Sequence, residues 1–431
     1  MIRIIESKDV GRLLARKAAR FTEAEAVVRP ILDAVRKRGD RALLEYARKF
    51  DGLERKSVRV PAAELAAAPL DDDFRAAVAT ASANIRAYAE RQMPKPWSAQ
   101  IRPGIRLGQI VRPLDTVAAY IPAGRYPLPS TVMMTVIPAQ VAGVPNVCIA
   151  SPRAVPEVFG TAHLLGVDQV FQMGGAQAIA AFAFGTRTVP RADRIVGPGN
   201  IYVAAAKKLL AGEVGIDFVA GPTEILIIAV DSDPRHLAAD MLAQAEHDLD
   251  ASAILLTTSK RLAKAVASEL ERQLATLPTA NVAAKSIAKN SAIVLVRSLD
   301  EAMELSNRFA PEHLSIPDGS LLDKVRHAGS VFVGPNSPEA AGDYASGPNH
   351  VLPTSGAARQ KGGLSVMDYV KLISVQELTA DALEKLTPSI TTLARAEGLE
   401  AHARSVEVRS VAQASRPALT KMKQARRPAL P

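Results

Sequence analysis

The chain has 431 residues, 53 basic against 44 acidic, for a formal net charge of +9. At about 150 residues per domain this length holds two or three domains, and 48% apolar with 23% charged residues excludes a wholly disordered chain. No run approaches the roughly 18 apolar residues of a membrane helix, and the start, MIRIIESKDVGRLLARK, lacks the apolar core of a secretory signal.

The lone cysteine, Cys148, cannot form an intrachain disulfide, which suits a reducing cytoplasm. Residues 411–431 carry five basic residues and no acid, so without them 48 basic residues face 44 acidic ones. The body is therefore nearly neutral, and the tail reads as a disordered basic extension. With 4% aromatics, a base-stacking surface for nucleic acid is not expected.

In chain order, the first 18 residues read as an arm. Thr22 with Glu25 has capping-box spacing and opens a helix. Asp40 starts a second helix that ends near Asp51-Gly52, and a long helix over 72–93 stops at Pro94. GIRLGQIVRPLDTVAAYIPAG holds two strands separated by Pro-Leu-Asp. From about residue 121 apolar strands alternate with helices: a helix from Ser130, the strand VPNVCIAS, a helix near 156–165, VDQVFQM, the helix GGAQAIAAFAFG, ADRIVGPGN, and the helix IYVAAAKKLL. The rhythm resumes at EILIIAV and continues through DPRHLAADMLAQAEHD, ASAILLTTS, SKRLAKAVASELERQL, SAIVLV and a helix capped by Ser298. Such alternation implies parallel sheets covered by helices. The segment LTADALEKLTPSITTLARAEG closes the pattern as a helix, and SVEVRSV reads as a small terminal strand.

Five places could carry chemistry. The Gly-rich corners 174–178, 197–200 and 220–224 let backbone amides approach a ligand, although most such corners only turn the chain. The dinucleotide fingerprint GxGxxG is absent. QAEHD puts Gln244 and His247 on one helix face, which suits either a metal or a polar helix end. FAPEHLSI sets Glu312 beside His313, a pair able to move protons or simply an exposed loop pair. GDYASGPNHVLPTSG carries Asp343, Asn349 and His350 on an irregular loop, where function or backbone capping would each explain them. EGLEAHARSVEVR brings Glu397, Glu400 and His402, otherwise a surface helix terminus. His163, His236 and His327 are expected at the surface.

Together, YIPAG, IPAQVAGV, GGAQAIAAFAFGT, GPGN, AGPTE, LAQAEHD, FAPEHL, GDYASGPNHVLPTSG and EGLEAH resemble the histidinol dehydrogenase family, in order and spacing, to about residue 410. The resemblance implies oxidation of L-histidinol through histidinaldehyde to L-histidine with two NAD+ and one zinc ion per subunit. It implies zinc ligands at Gln244, His247, Asp343 and His402, and proton transfer at Glu312 and His313. Substrate contacts fall on Thr223, Gln244, His247, His313, His350, Asp343, Glu397 and His402, and NAD contacts on Tyr120, Gln177 and Asn200. It also implies a homodimer whose C-terminal segment completes the neighbour's site.

The expected architecture is α/β, with two similar incomplete Rossmann-like units, a small terminal arm and C-terminal helical elements. The expected divisions are an arm at 1–18, a first α/β domain at 19–120 plus 223–365, a second on the NAD side at 121–222, a dimerisation segment at 366–410 and the tail at 411–431. Thr223 stands where many members have serine, and YIPAGRYPLPST departs from the commoner YVPGG form. A paralogue oxidising another small alcohol is the alternative. A basic binding protein with a vestigial site is disfavoured, since no ligand position is lost.

Overall fold

The structure, a computed structural model, describes residues 2–14, 21–123, 126–153 and 155–414. Two compact units divide the chain: residues 1–93 with 113–370, and residues 94–112 with 371–431.

The first unit holds two parallel sheets. One has six strands, in spatial order Arg3–Glu6, Ala292–Leu295, Ser252–Thr257, Glu224–Ile228, His313–Ile316 and Ser330–Val333. The other has five: Gln169–Gln172, Asn146–Ser151, Thr116–Tyr120, Arg194–Val196 and Gly215–Ile216. Counted in chain order within each sheet, and setting aside Arg3–Glu6 at the edge, both run 3-2-1-4-5. The expected pair of similar α/β units is thus present in the topology, not only in the rhythm of the sequence.

Period-2 side-chain alternation explains why the strands are apolar throughout. Ile225 and Ile227 enter one core of the six-stranded sheet, while Leu226 and Ile228 enter the core on its other face. In the five-stranded sheet Val117 and Ala119 face one core and Ala118 and Tyr120 the other. The helices Phe21–Arg38 and Asp40–Asp51 pack on one face of that sheet, and Asp72–Gln92 packs on the opposite face. Gly52 ends the second of these helices in the left-handed conformation, donating its N–H to Ala47 O, as the Asp51-Gly52 signal suggested. Ser298 caps Leu299–Phe309 by accepting from Glu301 N.

Two strands fall differently from the expected divisions. Thr116–Tyr120 is the central strand of the five-stranded sheet, paired on both sides. Arg3–Glu6, within the presumed arm, pairs with Ala292–Leu295.

The second unit contains the antiparallel hairpin Trp97–Arg102 and Ile105–Pro113, joined in one three-stranded sheet by Val370–Leu378. Its helices are Ala380–Ala396 and Glu400–Ala414. The second of these corrects the reading of SVEVRSV as a strand. Valines at 406 and 408 mimic strand alternation, but Glu400–Arg404 pairs one turn apart and Arg395 reaches both Glu400 and Glu407. Helix-to-helix packing, with Ala403 fully buried, overrides the local β preference. Residues 411–414 of the presumed tail continue this helix, and the remainder lies outside the described residues.

Among the described residues no helix is long and apolar enough to cross a membrane.

Candidate active site

The six-stranded sheet gathers the site at the amino ends of its central strands. Ala310, left-handed at φ 51°, ends Leu299–Phe309 and turns the chain back. Pro311 and Glu312 follow, and His313 begins the next strand. That strand pairs with Glu224–Ile228 in the register His313 to Ile225. The helix Pro234–Ala245 runs back over the sheet, so its C-terminal end returns Gln244 and His247 to the same edge.

Asp343 corrects the expectation of an irregular loop. It lies in a short helix, Glu339–Tyr344, which sets Glu339 and Asp343 four residues apart on one face. Gly342 is needed between them, since a Cβ there would stand 2.7 Å from the Phe332 ring. Asn349 follows the capping alternative, donating to Met134 O at 2.6 Å and accepting from Val351 N at 2.9 Å. His350 is tied at both ring nitrogens, Nδ1 to Asp343 O at 2.8 Å and Nε2 to Thr131 Oγ1 at 3.1 Å. Because Asp343 O can only accept, Nδ1 carries the hydrogen and Nε2 accepts from the threonine.

His313 is the hub, 4% exposed. Its Nδ1 lies 3.3 Å from Glu224 O, 3.4 Å from Glu339 Oε1 and 3.7 Å from Glu312 Oε2. Its Nε2 is buried and, among the described residues, has no hydrogen-bond partner, the Asp343 carboxylate being 3.6 Å away. Glu312 Oε2 accepts from Thr223 Oγ1 at 2.5 Å and from Glu224 N at 2.9 Å. Gln244 donates to Thr223 Oγ1 at 2.7 Å, completing a relay from amide to hydroxyl to carboxylate.

Burial opposes charge on His313, but Glu339, Glu312 and Asp343 together outweigh it and push the imidazole up to about 10. Burial raises Glu312, and the opposing attraction of His313 and the Thr223 and Glu224 donors does not cancel it. Burial likewise pushes Glu339 up to about 8. Asp343 is lowered despite burial, because His313 faces it. Burial holds His350 below the ordinary imidazole range.

A metal fits this donor set. Ligand atoms of His247, Glu339 and Asp343 lie within 4.8 Å of one another. As oriented, the Gln244 carbonyl oxygen faces the Glu339 carboxylate, acceptor against acceptor, a conflict that a cation relieves. A rotated amide relieves it too, donating to Glu339 Oε1 at 2.6 Å. Three carboxyl groups crowd one imidazole, and a divalent ion would favour their ionised forms. Glu339 was missed in the sequence, although its spacing to Asp343 was a usable signal.

Of the other expected residues, Glu397 and His402 lie in the second unit, both exposed, at the end of Ala380–Ala396 and the start of Glu400–Ala414. The NAD candidates lie beyond the carboxyl ends of the five-stranded sheet, where its strand order reverses, a usual place for a nucleotide. Tyr120 ends the central strand and its hydroxyl accepts from Gly175 N at 3.1 Å. Gln177 is buried and donates to Asp51 Oδ2 at 3.0 Å, while Asn200 is exposed and caps Ile201–Leu210. Gly124 and Arg125 of the divergent loop lie outside the described residues. His163 and His236 are exposed and His327 half-buried.

Known proteins resemble this chain over most of its length. The sequence pattern of the histidinol dehydrogenase family matches residues 14–410. The chain is 47% identical to histidinol dehydrogenase of Geobacter sulfurreducens, covering 93% of this chain and 96% of that one. It is 48% identical to that of Thermus thermophilus, covering 94% and 100%. The crystal structure of histidinol dehydrogenase from Elizabethkingia anophelis superposes with a TM-score of 0.91 at 35% identity, over 96% of this chain and 99% of that one. With a match spanning residues 14–410, the chain belongs to the histidinol dehydrogenase family of oxidoreductases.

Proposed function

We propose that the protein is a zinc-dependent enzyme that oxidises L-histidinol through histidinaldehyde to L-histidine with two NAD+. The observation that carries this reading is the buried imidazole of His313, whose Nε2 has no hydrogen-bond partner among the described residues while carboxyl groups surround the ring. Gln244, His247 and Asp343 would hold zinc, joined by His402 of a second copy of the chain. Zinc, when bound, supplies an electrophilic anchor for the substrate's nitrogen and oxygen atoms. With the carboxylate field thus compensated, His313 reaches the neutral form that a base needs.

His313 Nε2 takes the hydroxyl proton as hydride leaves the carbinol carbon for the nicotinamide. Glu312, made more basic by burial and steadied by Thr223 and Glu224 N–H, removes a proton from the water that hydrates the aldehyde. Hydride leaves the hydrate for a second NAD+, giving the carboxylate. Tyr120, Gln177 and Asn200 would bind the dinucleotide. Thr223, His350 and Glu397 would contact the substrate, with the metal ligands.

We place the enzyme in the cytoplasm as a homodimer, each site completed by Glu397 and His402 of the partner copy. Sedimentation as a monomer at working concentration would contradict that assembly. The substrate is tested by measuring NADH formation with a panel of small alcohols that includes histidinol. We expect histidinol to have the highest kcat/KM by at least about tenfold, since losing a paired imidazole leaves buried polar groups unmatched. Preference for a simple aliphatic alcohol would favour the paralogue alternative.

A further inference from the structure

Glu339 stands with His247 and Asp343 in the candidate metal cluster but is not among the proposed zinc ligands; it is 3% exposed and lies against two groups assigned a part in the chemistry. Its Oε1 is 3.4 Å from His313 Nδ1 and 2.6 Å from the terminal amide of Gln244. A carboxylate is costly to bury, and a leucine or glutamine would fill the same space without that cost.

The placement around His313 gives the carboxylate a task. Nδ1 faces the acceptors Glu224 O and Glu339 Oε1, with the Gln244 terminal amide 3.2 Å away, and among the described residues Nε2 has no hydrogen-bond partner. In the neutral ring the hydrogen therefore stays on Nδ1, and the lone pair sits on Nε2. A backbone carbonyl alone fixes one direction, and the carboxylate adds a second contact that resists rotation of the ring. Asp343 follows one helical turn later in the same short helix, so any movement of Glu339 also moves a candidate zinc ligand.

We propose that Glu339 is a positioning residue. It holds His313 by Nδ1 so that Nε2 meets the reacting hydroxyl. This inference rests on the proposed oxidation of histidinol. It acts through His313, so its loss should slow the chemical steps and leave substrate binding and metal content in place.

The test compares wild type, Glu339→Gln and Glu339→Leu as zinc-loaded full-length enzymes, reading kcat, KM for histidinol and zinc per subunit. Glutamine keeps an acceptor for Nδ1–H, whereas leucine keeps only the volume. Supporting partners of catalytic and metal-bound groups typically cost about 10- to 100-fold when removed. We expect kcat to fall about 10-fold in the glutamine variant and about 100-fold in the leucine variant, with KM within about threefold and zinc unchanged. Unaltered kcat in both variants would overturn the proposal. So would a loss of activity that tracks loss of zinc, which would make Glu339 a ligand instead. If the leucine variant does not fold, the glutamine variant decides alone: wild-type kcat rejects the role. A wild-type enzyme inert toward histidinol rejects the underlying reading, an outcome distinct from active enzyme with indifferent variants.

Discussion

His313 draws its character from neighbours far away in sequence. Glu312 is adjacent, Glu224 comes from the paired strand, and Glu339 and Asp343 come from a short helix beyond the next strand. The sequence displayed Glu312-His313 as an even choice between a proton-transfer pair and a loop pair. Only the fold reveals that both are buried, which turns an ordinary dipeptide into a polar cluster requiring explanation. Glu339 was missed because its four-residue spacing to Asp343 gains meaning only once the segment is known to be helical and buried. Cys148 shows the opposite case, a reactive residue type made inert. Burial pushes its thiol from 9.0 up to about 12, so the thiolate, the reactive form, becomes about a thousandfold scarcer at neutral pH. Raising the pH toward 12 restores thiolate, and lowering it removes still more. Native protein at pH 8 should therefore react with a thiol reagent far more slowly than unfolded protein. Equal rates would contradict the buried placement.

Elements with strong periodicity were legible: the long helix stopped by Pro94, the buried strands EILIIAV and VPNVCIAS, and the Ser298 cap. SVEVRSV failed because its alternation is local, while packing of Glu400–Ala414 on Ala380–Ala396 is tertiary. The GPGN corner shows what a glycine-rich signal can mean structurally. Gly197 adopts φ +105°, and a Cβ there would strike the Tyr120 carbonyl oxygen. Its N–H donates to Asp217 Oδ2 at 2.8 Å and its carbonyl accepts from Lys207 Nζ at 3.0 Å. Lys207 and Asp217, paired with each other and almost wholly buried, clamp this corner. Lys207→Met would leave Asp217 buried without its partner, a cost of about 3–5 kcal/mol. Lys208→Ala, which removes a half-exposed partner of Glu25, should cost less than about 1 kcal/mol. Denaturant unfolding of the two variants checks this, and equal losses would refute the clamp.

At the scale of the molecule, much of the +9 charge belongs to the terminal 21 residues. The remaining body carries two sheets with the same 3-2-1-4-5 order, used differently. The candidate nucleotide positions follow the carboxyl ends of one sheet. The His313 cluster uses the amino ends of the other, reached because the helix carrying Gln244 runs antiparallel to the strands. The loop after Asp343 joins the two halves, with Asn349 bonded to Met134 O and His350 to Thr131. Sequence rhythm made the two halves visible. It could not show which edge of each would carry chemistry, because both edges are built from similar Gly- and Pro-rich turns. The central claim, a four-electron oxidation at a zinc site, is tested most directly by NADH yield per L-histidinol consumed, with and without a chelator. The account predicts two NADH per histidinol, loss of turnover after chelation and recovery on adding zinc. One NADH per histidinol, or full turnover in metal-free enzyme, would contradict it.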